Sequence, residues 1–255
     1  MDTEARPKAA MAAEWAADDS PVWLDGLRQP LLDQTAAQIG APSAWKSGYT
    51  GAGVTVAVLD TGIDATHPDL RRRIAETRNF TSEPSTRDTD GHGTHVASTI
   101  AGENPRYRGI APGARLLVGK VCRAGGCPES AIIAGMRWAA ERGAKVVNLS
   151  LGGPDAAGSD PLEQTVDQLS ARHGTLFVIA AGNDGSHGAE TVGSPASADA
   201  ALAVGAVDRD DARAGFSSRG PACATPPSSP RSSPPASTWW PRGPASPPGP
   251  ARTTR

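Results

Sequence analysis

The sequence predicts an α/β protein in which helices cover both faces of a mostly parallel central sheet, a three-layer arrangement. Segments with strand and helix patterns alternate along the chain, and the strand segments are solid apolar runs without in–out alternation. Such runs are typical of strands buried on both faces, as in a parallel sheet covered by helices. In these sheets the functional groups collect beyond the carboxyl ends of the strands.

The individual elements follow from local signals. Apolar runs predict strands at residues 54–59, 116–121, 145–151, 175–181 and 201–207. Helical spacing predicts helices at residues 92–101, 129–141 and 161–172. Gly143 ends the second helix, while Pro161 opens the third and Gly174 closes it. No apolar run follows residue 220, so we expect the fold to be incomplete at its C-terminus.

Composition divides the 255 residues into three parts. Residues 1–40 show little periodicity and are expected to be a leader, and residues 41–220 carry the predicted elements. Residues 221–255 form a tail rich in proline, serine and arginine, with 11 prolines and no Val, Ile or Leu. A segment without aliphatic side chains cannot offset the entropy of ordering, so we expect the tail to be disordered.

Charge and hydropathy exclude two classes of partner. The formal net charge of −2 gives no electrostatic basis for binding nucleic acid. No apolar run approaches the roughly 20 residues of a membrane helix, so no membrane span is predicted. No basic stretch leads into an apolar one near Met1, so we expect no secretory signal in the chain as written.

Two of the three cysteines, Cys122 and Cys127, bracket a Gly-Gly loop. They form a small disulfide if the protein works in an oxidising compartment, or they are two free thiols, and the sequence leaves both interpretations open. The spacing C-x4-C without a second pair is poor evidence for zinc, and Cys223 lies in the tail.

Three polar residues lie where predicted strands end or helices begin. Asp60 follows Val-Ala-Val-Leu, His92 lies between two glycines, and Asn183 follows Ala-Ala-Gly. Each alone has an ordinary explanation as a turn or cap residue. Together they supply parts of a nucleophilic hydrolase: a carboxylate fixes the imidazole tautomer, the imidazole takes a proton from a hydroxyl, and an amide stabilises an oxyanion.

Five motifs resemble those of the subtilisin-like serine proteases, the subtilases. In the family's order they are Val-Ala-Val-Leu-Asp-Thr-Gly-Ile-Asp (56–64), Asp-Gly-His-Gly-Thr-His-Val-Ala (90–97), Val-Asn-Leu-Ser-Leu-Gly-Gly (147–153), Ala-Ala-Gly-Asn (180–183) and Phe-Ser-Ser-Arg-Gly-Pro (216–221). The resemblance implies a subtilisin-like fold and the hydrolysis of peptide bonds in proteins, without a required cofactor. It also implies a monomer that acts outside the cell.

The resemblance implies roles for individual residues. Asp60 is the orienting acid, His92 the general base and Asn183 the oxyanion donor. A short strand that pairs with the substrate backbone is implied to consist of Ser150, Leu151 and Gly152.

Two further points concern metal ions. His95 is expected to be structural, because H-x-x-H alone is a poor metal signature. Asp69 matches a calcium position of some relatives, whereas the short loop at residues 102–109 argues against calcium.

No residue is assigned as the nucleophile. The family's serine lies in a Gly-Thr-Ser-Met-Ala-type sequence, and no Gly-Thr-Ser occurs in this chain, so efficient acyl-enzyme chemistry is expected to be absent. A shifted reading frame is one explanation of the tail: read one base earlier, the codons of residues 238–243 allow Asp-Val-Val-Ala-Pro-Gly, which subtilases commonly carry before the serine. A genuine low-complexity tail is the alternative. Residues 33–45 resemble the junction between a propeptide and a mature enzyme.

Two rival functions fit parts of the sequence. The motif Asp60-Thr61-Gly62 also fits an aspartic protease, but those enzymes need two such aspartates in an all-β frame and this chain has one Asp-Thr-Gly. The second rival is an inactive subtilase fragment that binds peptides. Nucleotide binding is not predicted, because no G-x-G-x-x-G or P-loop follows a strand.

Overall fold

The computed structural model describes residues 32–155 and 160–220. Most of the predicted leader, residues 1–31, and the predicted tail at residues 221–255, with Cys223, lie outside the described residues. The helices are α1 (Leu32–Gln38), α2 (Ala41–Lys46), α3 (His92–Ala101), α4 (Glu129–Glu141) and α5 (Pro161–His173), and a 3₁₀ turn spans Gly185–His187. The strands are β1 (Thr55–Asp60), β2 (Ile74–Asn79), β3 (Arg115–Lys120), β4 (Val146–Leu149), β5 (Leu176–Ala180) and β6 (Ala201–Val204).

The six strands form one sheet in the order β2-β3-β1-β4-β5-β6, and every neighbouring pair is parallel. The predicted fold class, an α/β protein with a parallel sheet, is therefore confirmed. Strand β1 lies inside the sheet between β3 and β4. Because all strands run the same way, the ends of β1, β4 and β5 lie along one edge.

Helices cover the two faces of the sheet, as the solid apolar runs predicted. Successive side chains of β1 point to opposite faces. Ala57 and Leu59 pack into a core with residues of α4 and α5, whereas Val56 and Val58 pack into a second core with α3. Removing this apolar area from water on both sides is what holds β1 in the middle of the sheet.

Local signals account for the ends of α5. The side chain of Asp160 accepts a hydrogen bond from Leu162 N–H (2.6 Å), which caps the first turn, and Pro161 occupies the first helical position. Gly174 ends the helix with a φ of 65°, a left-handed conformation that costs other residues more. Helix α5 therefore begins at the residue that the sequence predicted.

Helix α1 occupies the last part of the predicted leader. Nε2 of Gln38 donates to the carbonyl oxygen of Asp208 (2.6 Å) and to Oδ1 of Asp211 (2.7 Å). The end of the predicted leader is therefore bonded to the loop that follows β6. Within the described residues, none of the helices has the length and apolar character needed to span a bilayer.

Candidate active site

Asp60 is the last residue of β1 and is 1% exposed. Its carbonyl oxygen accepts hydrogen bonds from the backbone N–H groups of Val121 (2.9 Å) and Cys122 (3.1 Å), which follow β3. Its carboxylate Oδ1 accepts from Thr61 N–H (2.7 Å). Oδ2 is buried and has no hydrogen-bond partner among the described residues. The carboxylate is thus fixed in place, with its hydrogen bonds concentrated on one oxygen.

His92 is the first residue of α3, and the structure brings it into contact with Asp60. Nδ1 of His92 lies 2.7 Å from Asp60 Oδ1, so its N–H donates to the carboxylate and the Nε2 atom of the neutral ring is left as the acceptor. The imidazole is 49% exposed. The hydrogen bond to the Asp60 carboxylate raises the pKa of His92, and burial opposes that rise. This geometry presents a basic nitrogen to solvent.

Asp88 organises the loop that leads into α3. Its Oδ1 accepts from Thr61 Oγ1 (2.9 Å), Asp90 N–H (3.1 Å) and Gly91 N–H (2.9 Å). Its Oδ2 accepts from both N–H (2.8 Å) and Oγ1 (2.6 Å) of Thr94. Burial opposes ionisation of Asp88, but these hydrogen bonds outweigh it and lower its pKa to about 2. A charged carboxylate therefore holds the start of α3 in place.

Gly93 lets α3 approach β1 closely. A Cβ atom at this position would lie 2.3 Å from the carbonyl oxygen of Gly62 and 3.2 Å from Cβ of Asp60. Gly93 N–H also donates to Thr61 Oγ1 (2.9 Å). The glycine after His92 in the motif is thus required for the contact between the helix and the loop of the aspartate.

The segment Ser150, Leu151 and Gly152 continues from β4, which lies between β1 and β5. Asn148 Nδ2 donates to Ser150 Oγ (2.9 Å). Beyond the segment, Gly153 exchanges two backbone hydrogen bonds with Ser194, each 3.0 Å long. Among the described residues, no backbone hydrogen bond engages Ser150, Leu151 or Gly152. The structure thus places this predicted substrate strand at the same edge as Asp60.

Asn183 lies beyond the end of β5 at the same edge and is exposed. Because β4 separates β1 from β5, the ends of those two strands are about 10 Å apart. The loop of Asn183 is held by Ser218, which is 4% exposed: its N–H donates to the carbonyl oxygen of Gly182 (3.0 Å) and its Oγ accepts from Asp184 N–H (3.0 Å). Two of the predicted motifs, Ala-Ala-Gly-Asn and Phe-Ser-Ser, therefore contact each other.

The side-chain oxygens of Glu103 and the side-chain oxygen of Asn104 are already bonded to protein groups. In the loop at residues 102–109, both carboxylate oxygens of Glu103 are bonded to Arg72 and Arg73. Asn104 Oδ1 accepts from the backbone of its own loop. The described residues contain no group of three or more His, Cys, Asp or Glu side chains arranged to hold a metal ion. Calcium binding at Asp69 stays a prediction.

Cys122 and Cys127 form a disulfide, with their Cα atoms 4.0 Å apart. The bond closes the loop that leaves β3 directly beside Asp60, since Cys122 N–H donates to the Asp60 carbonyl oxygen. The sequence left open whether these cysteines form a disulfide or are free thiols, and in the structure they form the disulfide. His95 is exposed on α3 and lies three residues along the helix from His92.

Sequence reasoning missed three residues that support the site. Asp88, Lys120 and Glu83 were assigned no role, although Lys120 is fully buried beside the aspartate loop and pairs with Glu83 (3.1 Å). A signal for Lys120 was present: it is the single charged residue in an apolar run that was itself predicted to be a buried strand.

A parallel α/β sheet that holds a buried aspartate against an exposed histidine at its carboxyl edge is one of the arrangements in which Asp–His–Ser triads occur. The chain belongs to the subtilase family, because residues 51–236 match the sequence model of the Subtilase family. This confirms the resemblance seen in the motifs.

Individual relatives agree with the family match. The chain is 44% identical to Subtilisin DY of Bacillus licheniformis and 46% identical to Subtilisin Savinase of Lederbergia lenta, over 187 residues in each case. It is 44% identical to Subtilisin E of Bacillus subtilis over 188 residues. These matches cover 71–72% of the chain, but 66% of the first two relatives and 49% of the third. The chain thus spans just under two thirds of the first two relatives' length.

Proposed function

We propose that this chain carries the acid–base half of a serine endopeptidase that hydrolyses peptide bonds in proteins. The observation that supports this proposal above all is the 2.7 Å hydrogen bond between His92 Nδ1 and the buried Asp60 carboxylate. That bond fixes the tautomer in which Nε2 accepts a proton from a hydroxyl nucleophile. As a general base His92 has to be neutral, so catalysis is expected to rise as the pH passes above its raised pKa.

Asn183 is proposed as the oxyanion donor. Its exposed position at the carboxyl edge of the sheet, in a loop held by buried Ser218, supports this role. A side-chain amide held there donates to the oxygen of a tetrahedral intermediate, where charge develops. In subtilisin itself, removing such an amide costs about 3 kcal/mol of transition-state stabilisation.

Ser150, Leu151 and Gly152 are proposed to bind the substrate backbone. Their backbone groups lie between the acid–base pair and Asn183 and are free of hydrogen bonds to the described residues. An extended peptide that pairs with this segment gains main-chain hydrogen bonds while its scissile carbonyl lies over the site. The same observation favours the second candidate function, in which the chain binds peptides without cleaving them.

The nucleophile is proposed to be absent from this chain, since no Gly-Thr-Ser occurs in it. Without a hydroxyl beside Nε2, turnover is expected to fall by about 10⁶, as it does when subtilisin loses its serine.

We propose an extracellular, monomeric protein that needs no cofactor. The disulfide supports an oxidising compartment.

Labelling with a fluorophosphonate, combined with a casein hydrolysis assay, tests this proposal. The chain as it stands is expected to show no stoichiometric labelling. A gene corrected to the alternative reading frame in the tail is expected to gain labelling and hydrolysis, and His92→Ala is expected to abolish the hydrolysis. Stoichiometric labelling of the original chain contradicts the absence of a nucleophile. Peptide binding without hydrolysis by the corrected protein favours the second candidate function.

A further inference from the structure

Lys120 is a cation inside the sheet. It is the last residue of β3, lies opposite Asp60 in the strand register and is 1% exposed. A buried ammonium group needs an acceptor for each of its three N–H bonds. Lys120 Nζ donates to the carbonyl oxygens of Thr61 (2.5 Å) and Arg87 (3.2 Å), and it pairs with Glu83 Oε2 (3.1 Å). All three donors are therefore satisfied.

The shortest of these contacts engages Thr61, the residue that follows Asp60. Thr61 N–H donates to Asp60 Oδ1, the oxygen that also accepts from His92. Thr61 Oγ1 accepts from Gly93 N–H in the first turn of α3. Thr61 thus contacts the aspartate through its amide and the helix of the histidine through its hydroxyl. Its carbonyl is held from the opposite strand by Lys120.

Lys120 also joins the two segments that carry the pair. Arg87, whose carbonyl oxygen accepts from Nζ, precedes Asp88 in the loop that leads into α3. One ammonium group is therefore bonded to the residue after Asp60 and to the loop before His92. Glu83, in the same loop, supplies the opposite charge that a buried cation requires.

Resting on the proposed function, we propose that Lys120 is a positioning residue for the Asp60–His92 pair, which it aligns through the carbonyl of Thr61. It holds Thr61 so that the amide and hydroxyl of that residue set the distance between carboxylate and imidazole. It touches neither substrate nor the reacting atoms. Its effect is on the hydrogen bond between the two residues that do.

The direction in which the pKa of His92 changes when Lys120 is replaced distinguishes a positioning role of Lys120 from an effect of its charge alone. A nearby cation disfavours protonation of an imidazole, so a lysine that acted only through its charge would, on removal, raise the pKa of His92. A positioning lysine has the opposite effect. Its loss weakens the hydrogen bond from His92 to Asp60, which is the main cause of the raised pKa of His92. The pKa of His92 therefore falls toward that of a free imidazole.

The test compares Lys120→Met with the matched control Glu83→Gln in the full chain. Methionine keeps the length and apolar stem but has no donor, whereas Glu83→Gln removes the ion-pair charge and leaves the Thr61 contact intact. The pKa of His92 is measured by NMR titration of its ring protons, assigned with His92→Gln, and the Nδ1 proton is observed directly. Lys120→Met is expected to lower the pKa and to speed solvent exchange of the Nδ1 proton at least about tenfold.

Three results overturn the proposal: a pKa of His92 that rises in Lys120→Met, one that does not change, or an equal fall in Glu83→Gln. If circular dichroism shows that Lys120→Met is unfolded, hydrogen exchange of the Thr61 amide in the unaltered protein decides. Protection close to that of β1 supports the proposal, and exchange as fast as in an exposed loop overturns it. The casein assay on the protein corrected to the alternative reading frame is independent. If that protein is inactive while the pKa of His92 is raised, the proposed function is refuted and the positioning is not.

Discussion

Replacing Asp88 with asparagine removes the charge that organises the entry to α3 while keeping the shape of the side chain. The carboxylate of Asp88 accepts five hydrogen bonds, three at Oδ1 and two at Oδ2. Asparagine offers one acceptor oxygen and one NH₂ group, so in either orientation at least one backbone N–H of Gly91 or Thr94 faces a donor. We therefore expect Asp88→Asn to be destabilising.

The magnitude follows from the pKa of Asp88, which is lowered from 3.8 to about 2. A difference of this size between the folded and unfolded chain corresponds to about 2.5 kcal/mol of stability at neutral pH, and partial exposure to water reduces it to about 2 kcal/mol. Because the folded-state pKa is depressed, the contribution is present above pH 3.8 and is lost as the pH falls through 2. At pH 3 about half of it should remain.

Urea unfolding followed by the fluorescence of the six tryptophans measures this loss. Asp90→Asn is the matched control, because it removes the same charge from the same loop but breaks only one weak contact, from His92 N–H at 3.3 Å. We expect a loss of about 2 kcal/mol for Asp88→Asn and under about 0.5 kcal/mol for the control. Equal losses in the two variants, or an Asp88→Asn loss that is as large at pH 3 as at pH 7, would refute the reasoning.

Three further outcomes are expected. Asp60→Asn is expected to lower the pKa of His92, as measured by NMR titration. In the unaltered protein, the Asp60–His92 pair stabilises the fold below pH 6.5, and this stabilisation is lost as the pH rises through the raised pKa of His92. Urea unfolding at several pH values checks this loss. Gly93→Ala costs about 3 kcal/mol in urea unfolding because its Cβ meets backbone, whereas Gly153→Ala, with nothing within 4 Å, has little effect. Reducing the disulfide after β3 lowers the free energy of unfolding by about 2 kcal/mol, given its short loop, and unchanged urea midpoints in reductant would contradict this.

Among the described elements, the sequence predicted those with a clear apolar pattern better than those without one. Helices α3 and α4 were predicted with their observed bounds, since glycine or proline marks the residue before each helix and helical spacing continues through it. Strand β2 (Ile74–Asn79) was not predicted. It is an edge strand, its burial is partial, and its sequence Ile-Ala-Glu-Thr-Arg-Asn lacks the apolar run that marks the inner strands. Its place depends on β3, a partner far away in the chain.

In the site, the sequence identified the side chains that meet and missed those that hold them. Asp60 and His92 follow from their motifs and lie in contact. The contacts of Lys120 and Asp88 could not be predicted, because they depend on β3 lying beside β1 and on the loop at residues 80–91 folding across both strands. The predicted strand at residues 145–151 is longer than β4 because Ser150 and Leu151 leave the sheet.

The order of the strands has a consequence for how the protein reaches its native state. Strand β1 (Thr55–Asp60) leaves the ribosome before its neighbours β3 and β4, which begin only at Arg115 and Val146. A nascent chain therefore carries an unpaired apolar strand through much of its synthesis, and closing such long loops makes folding slow and aggregation a competing reaction. Assistance from a chaperone or an attached template during translation should raise the yield of native protein.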